Sequence, residues 1–265
     1  MLGKLIKYEM RATARYFLPI HGAIMALALI MGIRGFDDNF LSVLNAILPV
    51  ALALSFAGLG VMTILMVVKR FDSNLLGDEG YLMFTLPVKT SELILSKILT
   101  SMIWVLASSA VFILSMGFII IRDIDLSAIW QELQSMQVDF YLIAVFVLLI
   151  LMSIVHILLQ VYASLGIAQA YSFAKNRILG GTLIFILITI AINTIETIGM
   201  TLMAYAFRES TWFMDLAAKI ESNNFLTVIS TMKLVFTVAL VYITIKNILF
   251  YFLTKYHLQK KLNLE

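Results

Sequence analysis

Apolar residues fill six long stretches of this chain, and polar residues cluster between them. The stretches cover approximately residues 17–33, 41–68, 98–121, 140–163, 179–206 and 225–253. A helix of roughly 20 apolar residues crosses the ~30 Å hydrocarbon core of a bilayer. The pattern therefore predicts an all-α, polytopic membrane protein with six transmembrane helices, in which residues 1–265 form a single transmembrane domain.

Composition supports this class. Of the 265 residues, 62% are hydrophobic and 13% are charged, whereas soluble domains are nearer half apolar and a quarter charged. The chain has no cysteine, which excludes disulfides, thiol catalysis and cysteine-bound zinc.

Lysine and arginine are distributed unequally between the two sets of loops. Thirteen lie in residues 1–16, 69–97, 164–178 and 254–265, and four lie in the opposite loops. Because loops rich in these cations stay in the cytoplasm, both termini are expected to be cytoplasmic.

Residues 1–16 have the pattern of an amphipathic helix that lies on the inner membrane surface. The apolar face of this helix carries Glu9 near its centre. Two explanations of Glu9 are open: a pair with a neighbouring cation, or a contact with another helix or subunit. The opposite, basic stripe consists of Lys4, Lys7, Arg11 and Arg15.

Short helices are predicted in the two longer outer loops. One is expected within residues 123–140, between spans three and four. The other falls within residues 207–224, between spans five and six, as a re-entrant or interfacial helix. In this second loop Thr211 is in position to cap a helix that ends near residue 221.

Ionisable residues inside the spans are the candidates for function, because they are costly in hydrocarbon. Glu196 lies in the fifth span beside Asn193, and Lys233 lies in the sixth. Counted from the outer ends of their spans at about 1.5 Å per residue, Glu196 and Lys233 have similar depths. They are therefore predicted to face the protein interior and to pair. Such a pair would either fix helix packing or line a substrate route.

No motif of a known catalytic or metal site is present. The phosphate-binding G-x-x-x-x-G-K-[ST], the H-E-x-x-H zinc motif and the G-x-S-x-G nucleophile motif are all absent. His21 and His156 both fall in the inner half of the bilayer in this topology. A pair between them is possible, but two separately bonded histidines are favoured, and two ligands make a poor metal site. The chain is therefore expected to be neither an enzyme nor a metal protein.

The loop between spans two and three, residues 69–97, is unusually apolar for an aqueous segment. It contains GDEGYLMFTLPVK, in which glycines flank two acids and Pro87 ends any preceding helix. Thr90 or Ser91 can cap the next helix, with Glu92 in its first turn. The apolar side chains need a cover, either the lipid interface or another protein.

This loop also carries a resemblance to a known family. NLLGDEGYLMFTLPVKTSELILSK resembles the loop after the second span of ABC-2-type transporter permeases, and KYEMRATARYFLP resembles the start of a Gram-positive bacterial group of them. Only these two stretches carry recognisable sequence, although the predicted layout of the whole chain fits the family.

The resemblance implies a permease subunit of an ATP-driven exporter in the bacterial plasma membrane. A separate ABC ATPase subunit would bind ATP and Mg²⁺, and this chain would hold no cofactor. A second permease copy or a related permease would complete a dimer, and no nucleic acid is expected as a partner. The implied coupling helix consists of Asp78, Glu79, Gly80, Tyr81, Leu82, Met83 and Phe84, followed by Pro87.

Two other classes of protein are compatible with parts of the pattern. A non-transporting membrane sensor or scaffold would also need an apolar docking loop. An intramembrane enzyme would need converging ionisable groups, which the predicted depths separate. The cargo stays open among hydrophobic compounds, peptides, drug-like molecules, lipids and polysaccharide.

Overall fold

All regular secondary structure in the described part of the chain is helical, as the sequence predicts. The computed structural model describes residues 1–34, 42–77, 80, 83, 85, 87–120, 127, 131, 139–171, 176–220 and 225–260. The helices are α1 (Leu2–Arg34), α2 (Ser42–Phe71), α3 (Thr90–Ile120), α4 (Phe140–Ala170), α5 (Arg177–Phe207), α6 (Thr211–Ile220) and α7 (Phe225–Lys260). A π-helix, Asp72–Leu76, directly follows α2.

Six of these helices are long and apolar enough to cross a membrane, so the prediction of six spans is confirmed at this level. The apolar segments are 31 to 33 residues long, or roughly 46–50 Å at 1.5 Å per residue. That exceeds the ~30 Å hydrocarbon core, so each helix tilts in a bilayer or extends beyond it. Long stretches of exposed apolar side chain on α5, such as Ile195 and Leu202, suit lipid and not water.

Side chains that bind free backbone groups set the starts of three helices. Asp139 accepts a hydrogen bond from the Leu142 amide before α4, and Asn176 accepts from two amides before α5. At the start of α3, the Glu92 carboxylate accepts from the Lys89 amide. The helix begins at Thr90 itself, so neither Thr90 nor Ser91 has the predicted capping position.

The chain divides into two compact units. Unit 1 comprises Met1–Leu75 and Glu79–Gln137, and unit 2 comprises Leu76–Asp78 and Val138–Glu265. The first unit therefore contains α1, α2 and α3, and the second contains α4 to α7.

In unit 1, α1 lies parallel to α3, and the contact between these two helices is the largest helix contact in the unit. The Trp104 indole N–H donates a hydrogen bond to the Thr13 hydroxyl, 91 residues away in the chain. The His21 ring forms a hydrogen bond with the Ser108 hydroxyl, 87 residues away. Near the far end, a Cβ built on Gly32 would lie 2.3 Å from the Phe118 carbonyl oxygen. The two helix backbones approach so closely at Gly32 that only glycine fits without displacement.

In unit 2, α4 is the central helix and packs against both α5 and α7. Gln160 on α4 donates to Thr189 on α5 at 2.7 Å. His156 on α4 contacts the Asn247 amide oxygen on α7 at 3.1 Å. The short helix α6 packs against α7.

The structure differs from the sequence prediction at the amino terminus. Residues 2–34 form one continuous helix that includes Pro19, without a break between an interfacial segment and a span. The predicted amphipathic pattern is present, with the basic stripe exposed and Glu9 and Thr13 buried on the opposite face. That face packs along α3, which holds the segment in line with the span.

A short helix between the fifth and sixth long apolar helices is present, as predicted, and is α6. Its position on the outer side stays a prediction. This helix begins at Thr211, so this residue is the first of the helix and not its cap. The helix predicted within 123–140 falls mostly outside the described residues, and of the loop residues before Asp139 only Ser127 and Gln131 are described there, each with helical backbone.

Candidate functional site

A buried ion pair joins α1 to α3 in unit 1. The Lys97 ammonium lies 2.5 Å from a carboxylate oxygen of Glu9, and these side chains are only 3% and 9% exposed. Of the two explanations open for Glu9, the structure selects a contact with another helix. Such a pair needs further hydrogen bonds to offset the cost of removing both charges from water.

A third polar group completes this cluster. Lys97 also donates to the Asn74 amide oxygen at 3.0 Å, and Asn74 is buried within the π-helix that follows α2. Asn74 and Lys97 lie on either side of the loop that contains residues 77–89. Their hydrogen bond therefore closes the base of that loop, and we call Glu9, Asn74 and Lys97 the loop-base cluster.

The predicted coupling helix is only partly within the described residues. Gly80 and Met83 have helical backbone and are buried and half-buried, while Pro87 is exposed in a bend before α3. The remaining residues assigned to the coupling helix lie outside the described part: Asp78, Glu79, Tyr81, Leu82 and Phe84.

A second charged cluster bridges α5 and α7 in unit 2. The Lys246 ammonium lies 2.7 Å from a carboxylate oxygen of Glu196, and the Tyr242 hydroxyl donates to the same oxygen at 2.7 Å. The side chains of Lys246 and Glu196 are 19% and 24% exposed. Glu196 thus faces a neighbouring helix, as predicted, but its partner is Lys246.

The predicted pair between Glu196 and Lys233 is wrong. Glu196 lies 11 residues before the end of α5 at Phe207, whereas Lys246 lies 21 residues after the start of α7 at Phe225. The end of α5 and the start of α7 are therefore not level. Depths counted from the ends of the apolar stretches selected Lys233, which lies on α7 more than three helical turns from Lys246.

Lys233 instead forms an ion pair with Asp139, the residue that caps α4. Its ammonium also lies 5.9 Å from the centre of the Tyr141 ring. The hydrogen bond from Lys233, together with that from the Leu142 amide, lowers the pKa of Asp139 below its ordinary value. This pair ties the start of α4 to α7.

An open cavity of about 480 Å³ borders the Glu196 cluster. Its walls are apolar, with Ile195 and Phe250 among them, and its polar groups are those of Glu196, Tyr242 and Lys246. A cavity with apolar walls and a few converging polar groups is typical of a small-molecule site. Asn193, three residues before Glu196, does not line this cavity and is exposed.

The two histidines predicted to lie inside spans, His21 and His156, have separate partners. The Nε2 atom of His21 lies 3.0 Å from the Ser108 hydroxyl, and the Nδ1 atom of His156 lies 3.1 Å from the Asn247 amide oxygen. The favoured prediction of two separately bonded histidines is confirmed.

Sequence reasoning missed four residues of these clusters: Asn74, Lys97, Tyr242 and Lys246. Hydropathy places Asn74 in a loop, and its separation of 23 residues from Lys97 does not indicate a contact between them. Lys246 lies within the sixth predicted span, as Lys233 does, and the depths counted from the span ends favoured Lys233. Tyr242 lies one helical turn from Lys246, and this spacing is the signal that could have marked the pair as one site.

We compared the chain with family models, with curated proteins and with solved structures. No family model, no curated protein and no solved structure matches it.

Proposed function

We propose that this protein is the permease subunit of an ATP-driven ABC exporter, with a separate ATPase subunit that binds ATP and Mg²⁺. The proposal rests first on the resemblance of residues 74–97 to the coupling loop of ABC-2-type permeases. Six helices able to cross a membrane support it, as does the absence of a phosphate-binding motif from the chain.

The observation that carries the proposal is the loop-base cluster. A loop that receives a mechanical push transmits it only if its ends are firmly attached to the helices that must move. Here Asn74 at one end and Lys97 at the other bind each other, and Glu9 ties both to α1. A displacement of the loop would therefore move α1, α2 and α3 together.

In the proposed mechanism, ATP-driven closure of the ATPase pair presses on residues 77–89. The apolar side chains of that stretch sit in a groove of the ATPase, and Asp78 and Glu79 meet the polar rim of the groove. The displacement of the loop is transmitted through the loop-base cluster to the spans. Movement of these rigid helices then opens the cargo path toward the outside.

The Glu196 cavity is the candidate contact for cargo. Its apolar walls and its charged pair suit an amphipathic molecule, such as a hydrophobic peptide or a drug-like compound. We assign the Glu196–Lys246 pair a role in orienting that molecule, in addition to its role in holding α5 to α7.

The exposed amide of Asn193 favours a dimer. Its side chain has no hydrogen-bond partner among the described residues, and it lies within an apolar helix. An unsatisfied amide in lipid is costly, so we propose that a second permease subunit covers this part of α5. The protein would lie in the bacterial plasma membrane with both termini in the cytoplasm.

The test is to purify the chain from its native membrane, to identify any ABC ATPase that co-purifies with it, and to change the coupling stretch. Leu82→Asp and Phe84→Asp should release the ATPase and abolish the stimulation of its hydrolysis by the permease. The control is Met214→Asp on α6, where the side chain is 60% exposed and the predicted topology puts it on the outer side. An intact complex with full stimulated hydrolysis in both loop variants would refute the coupling assignment.

A further inference from the structure

A basic pocket lies between α1 and α2 in unit 1, and no residue of the loop-base cluster lines it. It has a volume of about 290 Å³. Three cations line one part of it and three apolar side chains line another: Arg15, Lys69 and Arg70, and Met62, Leu65 and Met66.

Within the described residues, the cations of the basic pocket have no carboxylate partners. No ion pair joins Arg15, Lys69 or Arg70 to an acid within the described part of the chain, and no described acid lines the pocket. Arg15 instead lies over the ring of Tyr16, 4.8 Å from its centre. Three cations without a carboxylate partner among the described residues line this one pocket, and an anion bound there would reduce the repulsion between them.

The apolar wall indicates what kind of anion fits. Met62, Met66 and Lys69 follow one another at helical spacing on the same face of α2. From Met62 to Lys69 the helix rises about 10 Å, so the apolar side chains extend from the cations along the span. A free phosphate would leave this wall uncovered, whereas the acyl chain of a lipid would cover it.

We propose that the basic pocket binds one phospholipid with an anionic headgroup. Its phosphate would lie among Arg15, Lys69 and Arg70, and the start of its acyl chain would follow Met66, Leu65 and Met62. Basic pockets between helices at the cytoplasmic boundary are suited to anionic headgroups. This inference requires only that α1 and α2 cross a membrane, and it is independent of transport and of any ATPase.

The test is lipid binding by the purified full chain in neutral detergent, measured by native mass spectrometry. Dioleoyl phosphatidylglycerol should bind more tightly than dioleoyl phosphatidylcholine. Removal of one cation should weaken phosphatidylglycerol binding about fivefold, which is the effect of one lysine or arginine near an anionic surface. The double variant Lys69→Gln/Arg70→Gln should therefore weaken it by roughly 25-fold.

The matched control is Lys4→Gln/Lys7→Gln, which removes two exposed cations of α1 that do not line the basic pocket. It should retain wild-type affinity. Equal losses in both double variants would show general attraction to a basic surface and would overturn the proposal. The single variant Arg15→Gln provides a second measurement should the α2 double variant unfold.

Two further arms distinguish the lipid from a soluble anion. sn-Glycerol 3-phosphate carries the phosphate without chains and should not displace phosphatidylglycerol, and Leu65→Asn should weaken binding of the lipid. Displacement by glycerol phosphate at the affinity of the lipid would assign the pocket to a soluble phosphate compound and would refute the phospholipid.

Discussion

Glu9 and Lys97 are 88 residues apart in the chain, yet their charged groups lie 2.5 Å apart in a site that excludes nearly all solvent. With Asn74 they connect the amino-terminal helix, the end of α2 and the beginning of α3. The two charges depend on each other, because removal of either one takes the nearest opposite charge away from the other in a buried site.

Removal of one partner of this pair should therefore destabilise the protein strongly. Glu9→Leu and Lys97→Met should each lower the free energy of unfolding by about 3–5 kcal/mol, because each removes the opposite charge from a buried ion pair. The double variant should be closer to wild type than either single variant. Denaturant unfolding in detergent measures all three.

An exposed pair provides the control for this experiment. Asp215 and Lys219 form an i,i+4 pair on α6, and their side chains are 60% and 48% exposed. Asp215→Asn should change the free energy of unfolding by less than about 1 kcal/mol. Additive losses in the Glu9→Leu/Lys97→Met variant would contradict the predicted dependence of the two charges on each other.

Gly32 should be intolerant of a side chain. In Gly32→Ala the new Cβ would approach the Phe118 carbonyl oxygen to 2.3 Å unless α1 and α3 separate, and such overpacking costs about 1–3 kcal/mol. Gly22→Ala, in the same helix, has no atom within 4 Å of its Cβ and should be neutral or stabilising. A thermal melt of the two variants in one detergent tests this, and equal melting temperatures would rule out the close approach.

The partner of Glu196 can be identified by double-mutant cycles. Glu196→Gln combined with Lys246→Met should show a coupling energy of about 1 kcal/mol, typical of a directly bonded pair in a membrane protein. Glu196→Gln combined with Lys233→Met should show additive effects. A larger coupling with Lys233 than with Lys246 would restore the pairing that depth alone suggested.

Asp139 should make the stability of unit 2 depend on pH. Its pKa in the folded protein is lowered from 3.8 by Lys233 and by the Leu142 amide, so the carboxylate contributes stability above the unfolded-state pKa. That contribution is lost as the pH falls from about 4 through the lower folded-state pKa.

Asp139→Asn should accordingly lose less stability than the wild type when the pH is lowered from 5 to 3. Lys233→Gln should reduce the same pH dependence, because it removes the main cause of the shift. Unfolding midpoints at several pH values provide the measurement. Parallel pH curves for wild type and Asp139→Asn would argue against the cap and its ion pair.

Hydropathy was sufficient to predict the number of helices that are long and apolar enough to span a membrane. A stretch as apolar as residues 140–170 is stable in a membrane only as a helix, because its backbone groups must be paired within the segment. The amphipathic pattern of residues 1–16 likewise predicted which face is buried, and it singled out Glu9 as a residue in need of a partner.

The partners of the charges depend on long-range geometry that no local pattern carries. Lys97 meets Glu9 because α1 runs without a break along α3, and the sequence pattern had suggested two separate elements. Lys246 meets Glu196 because α7 begins far from the level at which α5 ends. The pairing of Asn74 with Lys97 depends on a π-helix that hydropathy does not reveal.

The sequence by itself thus determined the helical class, the six apolar segments and the residues whose charge requires an explanation, since these follow from the cost of exposing backbone and charge to lipid. Only the tertiary structure decided which helices pack together and which charges meet. These contacts depend on how far each helix is displaced along its axis relative to its neighbour. A displacement of a few residues exchanges one charged partner for another.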